Sequence, residues 1–377
     1  MKSLRNTYKN VAFITGLPHF FAYKLFKKLI EDDFFIKIYV LVKKDESKKI
    51  YKFINKNLTA AQGARINVLE GHVASLDLGL SGKEYIKVTK EVSHIYHMAS
   101  RYFYGMDETI AYKVNVIGTK NTIELGMHSK NLKRFNFYST AFVSGNKEGM
   151  IMEDYLEKPK KFNNHYEKTK YEAEKLVRSF MDKMPVTIYR PSIIVGDSVS
   201  GKIHRFKGPY YLIKLFMFSN VFLPMPKKGE TPINIVPIDF VVNSLYYISL
   251  NDKGINKTFH LVDPNPITVK EIADILYEKT NKSKKYHSIG LASSLILNTV
   301  FKVPILNKLL INQKTAFEFL YQNKTYSSSN TLELLSGTDI SCPAFDSYVG
   351  NLINYLKEVR KKRTNSEGIV LFKDYDI

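Results

Sequence analysis

Short apolar runs alternate with amphipathic stretches through the first half of the chain. Val11–Thr15, Ile36–Val42, Ile66–Leu69, His94–Met98, Phe135–Tyr138 and Val186–Tyr189 are brief, apolar and bounded by turn residues, the pattern of buried strands. Between them, Phe20–Ile30, Ser47–Leu58, Glu84–Val92, Asp107–His128 and Asn164–Lys183 read as helices. Asp107 suits the N-cap of the fourth helix, and Asn163 or Asn164 that of the fifth. With almost no hairpin signal, the alternation predicts right-handed β-α-β units and an α/β fold built on a doubly wound parallel sheet. Ligands of such sheets sit at the carboxyl ends of the strands, so candidate functional residues are sought there.

After Ser198 the pattern loosens. Gly201–Lys207 is followed by an apolar helix candidate, Tyr210–Phe218, and by the proline-rich Leu223-Pro224-Met225-Pro226. Pro237–Leu250 and Thr258–Val262 resume the strand-and-helix pattern. From Leu291 to Ile311 apolar residues dominate, broken by Lys302 and Lys308. This stretch reads first as a helical core or lid, and second as an acyl-chain wall or membrane-facing surface. The organisation expected is a dinucleotide-binding domain over 1–198 to which 236–262 return. A smaller interleaved C-terminal cap covers 199–235 and 263–357, and a charged tail covers 358–377.

The chain has 377 residues, enough for one large domain or two intimate ones, with 44% hydrophobic and 24% charged residues. A formal charge of +20 attracts phosphorylated ligands, polyanions and membrane surfaces alike. The basic residues are scattered and form no arginine-rich arm, so nucleic acid is not an expected partner. Oligomeric state is left open. Cys342 is the one cysteine, which excludes an intrachain disulfide and a cysteine zinc site and suits a reducing cytoplasm. No metal is expected, because His94 and His97 lack Cys, Asp or Glu at ligand spacing. Neither a signal-peptide layout nor a spanning run of ~20 apolar residues is present, so a cytoplasmic protein is expected, with peripheral membrane contact as an additional possibility. Ser144-Gly145 lacks the G-x-S-x-G elbow, which argues against nucleophilic hydrolysis.

The first strand-to-helix turn is Thr15-Gly16-Leu17-Pro18-His19-Phe20-Phe21-Ala22. A dinucleotide site uses three small residues there, for the turn, for the pyrophosphate and for helix packing. Gly16 and Ala22 suit the first and third; His19 departs at the second. The N–H groups of Phe20 and Phe21 can still face an anion at the helix N-terminus. Lys43 and Lys44 end the second strand, where cations accommodate a 2′-phosphate, which favours NADP(H) over NAD(H). Tyr166 and Lys170 are four apart and share a helix face. An ammonium beside a phenol lowers the phenol's pKa, making it a proton donor or acceptor near neutral pH.

Several further segments occur in one order: Leu69-Glu70-Gly71 with Leu76–Leu80, His97-Met98-Ala99-Ser100, Asn115–Thr119, Tyr138–Gly145, the Tyr166/Lys170 helix, Tyr189–Ser198, Gly208–Tyr211, Asn234–Asp239 and Phe259-His260-Leu261. Together they resemble an extended short-chain dehydrogenase/reductase of the fatty acyl-CoA reductase, male-sterility and thioester-reductase branch. The resemblance implies a Rossmann-type sheet and a Thr140, Tyr166 and Lys170 triad, with Asn115 in support. It places Thr15, Gly16, Phe20, Phe21, Lys43, Ala99, Tyr166, Lys170, Pro191, Ser192 and Ile193 along the cofactor. His72 stands where the family usually has an adenine-contacting Asp. The implied activity is reduction of an acyl thioester, on coenzyme A or acyl-carrier protein, or of its aldehyde. The chain carries no adenylation or carrier domain, so a pre-activated substrate is expected. The alternatives are a dehydrogenase, epimerase or dehydratase acting on a sterol-like or sugar-nucleotide alcohol, and a non-catalytic dinucleotide sensor.

Overall fold

The computed structural model describes residues 10–102, 107–203, 223–224, 230–281, 286–287 and 323–366. The expected helix Tyr210–Phe218, the apolar stretch Leu291–Ile311 and the end of the charged tail lie outside these residues.

Seven parallel strands form the central sheet: β1 (Asn10–Thr15), β2 (Phe35–Val42), β3 (Ile66–Glu70), β4 (His94–His97), β5 (Arg134–Tyr138), β6 (Val186–Pro191) and β7 (Lys257–Leu261). Their order is β7-β6-β5-β4-β1-β2-β3, with parallel register throughout. The strand order reverses between β1 and β4, which opens a crevice at their carboxyl ends. This is the parallel sheet the periodicity predicts, in the Rossmann-like order the resemblance implies.

Helices cover both faces, and side-chain alternation assigns each face its own core. Ala12 and Ile14 of β1 pack with Leu25, Phe26 and Leu29 of α1 (Phe20–Glu31), Ile50 and Phe53 of α2 (Lys44–Asn57), and a helix that follows β6. Val11 and Phe13 face the other way, toward α3 (Gly82–Glu91), α4 (108–128) and α5 (His165–Arg178). The α4 helix runs as Glu108–Tyr112, a π turn at Lys113–Ile117, and Gly118–His128. The Asp107 carboxylate accepts N–H bonds from Thr109 and Ile110, at 2.8 and 3.2 Å, and caps it. The helix between β6 and β7 is α6 (Ile238–Ser249), and its Val241, Leu245 and Ile248 complete the α1 side.

The periodic reading misses some ends and one pairing; α2, for example, begins at Lys44 instead of Ser47. The α5 helix stops at Arg178 instead of Lys183, because the Ser179 hydroxyl takes the Leu176 carbonyl and the chain turns toward Pro185. The strand Gly149–Ile151 pairs in parallel with Lys324–Tyr326, far away in sequence, where no local pattern announces it. A separate hydrophobic cluster joins Val195, Ile233 and Ile235 to α7 (Val269–Lys279) and to α8 (Phe345–Ser366).

Candidate active site

The carboxyl end of β1 is held by one hydroxyl. Thr15 Oγ1 accepts the N–H groups of Met98 and Ala99, both at 3.1 Å, and donates to His97 Nδ1 at 3.0 Å. That leaves His97 Nε2–H to donate to Thr119, whose hydroxyl donates to the Asn115 carbonyl at 2.6 Å. Burial, then Lys170, pushes His97 down to about 3, so the ring is a neutral structural link. Gly16 has φ +97°, and a Cβ there would meet the Met98 and Ala99 backbone at 2.7–2.8 Å. No side chain fits that turn. His19 sits at the N-cap of α1 with an exposed side chain, ahead of half-buried Phe20 and Phe21. Phe21 stacks on Tyr138 at 4.4 Å.

Tyr166 and Lys170 lie on the face of α5 turned to the end of β5. Asn164 makes the cap, accepting the Glu167 N–H at 2.9 Å, so the helix begins at His165, one residue before Tyr166, and fixes its direction. The hydroxyls of Thr140, just after β5, and Ser100, just after β4, lie beside the Tyr166 phenol. Tyr102 packs against it with ring centroids 4.8 Å apart. Burial, then Tyr102, raises the phenol above its ordinary range, against the lowering by Thr140 and Ser100. The lowering by an ammonium expected from spacing alone is not the outcome here. Lys170 instead donates to the Tyr138 carbonyl at 2.5 Å and lies 4.5 Å from the Phe137 ring centroid. Its surroundings are greasy enough that burial brings it down to about 7, with Glu174 acting the other way.

Asn115 sits in the π turn of α4, a distortion often found at functional sites. Its Oδ1 accepts the Arg101 N–H at 2.8 Å and the Ser100 hydroxyl at 3.3 Å. Its Nδ2 donates to Thr169 at 2.9 Å and to the Arg101 carbonyl at 3.3 Å. Both amide atoms are used in tying the β4 loop to α5, the backbone-tethering alternative to a proton relay. The turn after Thr140 is held from the other side: buried Lys324 donates to the Gly145 carbonyl at 2.6 Å and to Ser144 at 3.3 Å.

Lys43 follows β2 at the N-cap of α2. It and Arg101 act on the same two groups: both depress His72 beyond the effect of its burial, and both oppose the burial that raises Glu46. A cationic corner thus forms between the ends of β2, β3 and β4. Pro191 and Ser192 are buried and Ile193 half-buried at the end of β6. The Ser192 hydroxyl donates to Asn234 Oδ1 at 2.7 Å. Arg101 and Tyr102 were not singled out from sequence, and Ser100 and Tyr138 stood there only within longer segments; the one signal for Arg101 and Tyr102 was lying just after a strand. Among the described residues no three His, Cys, Asp or Glu side chains gather as a metal site requires.

Over residues 14–245 the chain matches the model of a nicotinamide-dinucleotide-binding family described as male sterility protein. The chain belongs to this family. It is an NAD(P)-dependent oxidoreductase of the extended short-chain dehydrogenase/reductase type. Relatives include fatty acyl-CoA reductase wat of Drosophila melanogaster, 27% identical over 272 residues, covering 62% of this chain and 52% of that one. A linear gramicidin synthase protein of Brevibacillus parabrevis is 24% identical over 305 residues, covering 77% of this chain and 6% of that one. The chain thus spans about half of the fly reductase and a small part of the synthase. Among solved structures, the terminal R domain of the myxalamid biosynthetic pathway superposes with TM-score 0.80 at 24% identity, covering 94% and 92% of the two chains. A UDP-glucuronic acid 4-epimerase from Bacillus cereus, in complex with NAD, shares the fold at TM-score 0.64 and 16% identity, covering 93% and 98%. Among the described residues no helix is long and apolar enough to cross a membrane.

Proposed function

We propose that this chain reduces an acyl thioester, carried on coenzyme A or a carrier protein, or the aldehyde derived from it, using NADPH. The observation that carries the reading is the Tyr166 phenol gathered with the Thr140 and Ser100 hydroxyls where β4 and β5 end. The residues suit a dinucleotide: the β1 turn closes so tightly at Gly16 that a Cβ would collide, and the first N–H groups of α1 follow. When bound, the nicotinamide supplies a hydride. The protein's part is to place the carbonyl and absorb the charge that develops on its oxygen. Thr140 and Tyr166 donate hydrogen bonds to that oxygen, and Tyr166, protonated because its pKa is raised, delivers the proton. With a thioester, collapse of the reduced adduct expels the thiol and leaves the aldehyde. Asn115 keeps Ser100 and Arg101 in place, and Lys170 is near enough to the β5 end to hold a ribose hydroxyl. We assign substrate contact to 199–235 and 263–357, and the fly acyl-CoA reductase supports an acyl chain as the group carried.

The test is a substrate panel followed by loss of reduced-nicotinamide absorbance. Long-chain acyl-CoA and fatty aldehyde are expected to turn over, and sugar nucleotides are not. Conversion of a sugar nucleotide to its epimer with no net change in nicotinamide absorbance would favour the epimerase-like alternative, and binding without turnover the sensor. Cofactor choice has its own test. Lys43→Glu places a carboxylate where a 2′-phosphate would lie and removes a charge-assisted bond, so the KM for NADPH should rise by about ten- to a hundredfold. The KM for NADH should stay near wild type; an equal rise for both would remove Lys43 from 2′-phosphate recognition.

A further inference from the structure

Three segments of the site meet on one carboxylate. Glu174 is fully buried on α5, one turn beyond Lys170, which is one turn beyond Tyr166. The hydroxyl of Ser139, the residue before Thr140, donates to Glu174 Oε2 at 2.6 Å. Arg190, the residue before Pro191, donates from Nη2 to Oε1 at 2.6 Å and from Nε to both oxygens at 3.1 Å. Arg178 Nε adds a bond at 3.0 Å. Arg190 is itself fixed from behind, donating to the Met152 and Tyr155 carbonyls at 3.2 and 2.9 Å. A buried ion pair of this kind often adds little net stability over a well-packed apolar replacement. Stability alone therefore gives little reason to place so many charges where the three segments join.

We propose, on the reading of this site as a reductase, that Glu174 is a positioning residue. Its carboxylate locks the Tyr166–Lys170 face of α5 to Thr140 through Ser139 and to the Pro191–Ile193 segment through Arg190, and its charge keeps Lys170 an ammonium in the interior. Around Lys170 stand Glu174 and Tyr166 on its own helix, neutral His97 on β4, and Tyr138 on β5. Arg190 on β6 stands across Glu174. Of these, Glu174 alone is negative at neutral pH: burial raises it, but Arg190, Arg178 and Ser139 outweigh that and hold it at about 2. Lys170 keeps its proton below about 7 and loses it above, so a function that needs the ammonium fades as pH rises through that value. Removing the Glu174 charge moves the loss to lower pH.

The experiment measures NADPH affinity, by the fluorescence of the reduced nicotinamide, and thioester turnover from about pH 5 to about pH 9. Glu174→Gln keeps the shape and one acceptor but not the charge, and should move the midpoint of affinity loss down by about one pH unit or more. Glu174→Asp keeps the charge and should keep the wild-type midpoint while kcat falls. An unmoved midpoint in folded Glu174→Gln overturns the proposal. If Glu174→Gln does not fold, Ser139→Ala decides. It removes only the bond toward Thr140, and should lower kcat by about three- to tenfold with NADPH affinity unchanged. Unchanged kcat there overturns the proposal as well. A wild-type protein that binds no dinucleotide or reduces no thioester defeats the reductase reading itself, a result distinct from either.

Discussion

Tyr166→Phe is expected to lower thioester turnover by about a hundred- to ten-thousandfold while leaving NADPH affinity near wild type. The substitution removes one oxygen and keeps the ring, so the contact with Tyr102 at 4.8 Å survives. What goes is the proton donor and one of the two donors facing the substrate oxygen. Thr140 and Ser100 remain, which is why the loss should stop short of the full catalytic acceleration. Because burial raises the phenol, it is a donor that stays protonated across the working range. The residual rate of Tyr166→Phe should therefore show no new ionisation near neutral pH. Steady-state kinetics with acyl-CoA and with aldehyde check both claims. Equal kcat in wild type and variant would remove Tyr166 from the reaction, and a large loss of NADPH affinity would make it a binding residue.

The sheet was readable because its strands are buried on both faces and so appear as short, near-continuous apolar runs, Val11–Thr15 being the clearest. The α5 cap at Asn164 and the Tyr166/Lys170 face followed from helix geometry alone. The state of the phenol did not. Spacing tells which groups can meet, whereas a pKa sums burial and every neighbour. Lys170 is engaged with the Tyr138 carbonyl, and Tyr102 comes from a loop that no periodicity connects to α5. In the sequence Glu174 is one carboxylate in a run of helix formers. Its partners Ser139 and Arg190 come from strand ends whose adjacency exists only once the sheet has formed. The π turn at Asn115 was equally hidden, because one inserted residue leaves the apolar repeat nearly intact. Arg101 and Lys43 converge from the ends of two different strands, so the cationic corner is a property of topology rather than of any stretch of sequence.

Acid should unfold this protein well before its carboxylates are exhausted, and three buried histidines set the window. His94, His97 and His260 are each pushed down to about 3 by burial first, with Arg134, Lys170 and Arg190 as the leading nearby cations respectively. Unfolded, each would titrate at its ordinary 6.5. Between 6.5 and 3 the unfolded chain therefore binds the protons that the folded chain refuses. The stabilisation is complete above 6.5 and is lost as pH falls toward 3. Glu174, held at about 2, adds a loss of the same sign below the ordinary carboxylate range. Glu153 runs the other way: burial raises it, so its contribution is present at low pH and fades as pH rises through its folded value. Glu46 and Asp263 are raised by burial as well, but each of the three is opposed by hydrogen bonds or nearby cations, against three fully buried histidines. Since a tenfold change in protonation equilibrium is worth about 1.4 kcal/mol, the unfolding free energy should fall by at least several kcal/mol between about pH 7 and about pH 4. Lys170 extends the slope upward, because its folded value of about 7 lies below its unfolded 10.5, so stability should go on rising above neutrality while the ammonium is lost. Denaturant titrations across that range read the slope directly, and His97→Gln should remove about one proton from it. A stability that stays flat from neutral pH to pH 4 would mean that these rings are hydrated and charged in the folded protein. The Thr15–His97–Thr119 link at the head of the cofactor crevice would then have to be redrawn.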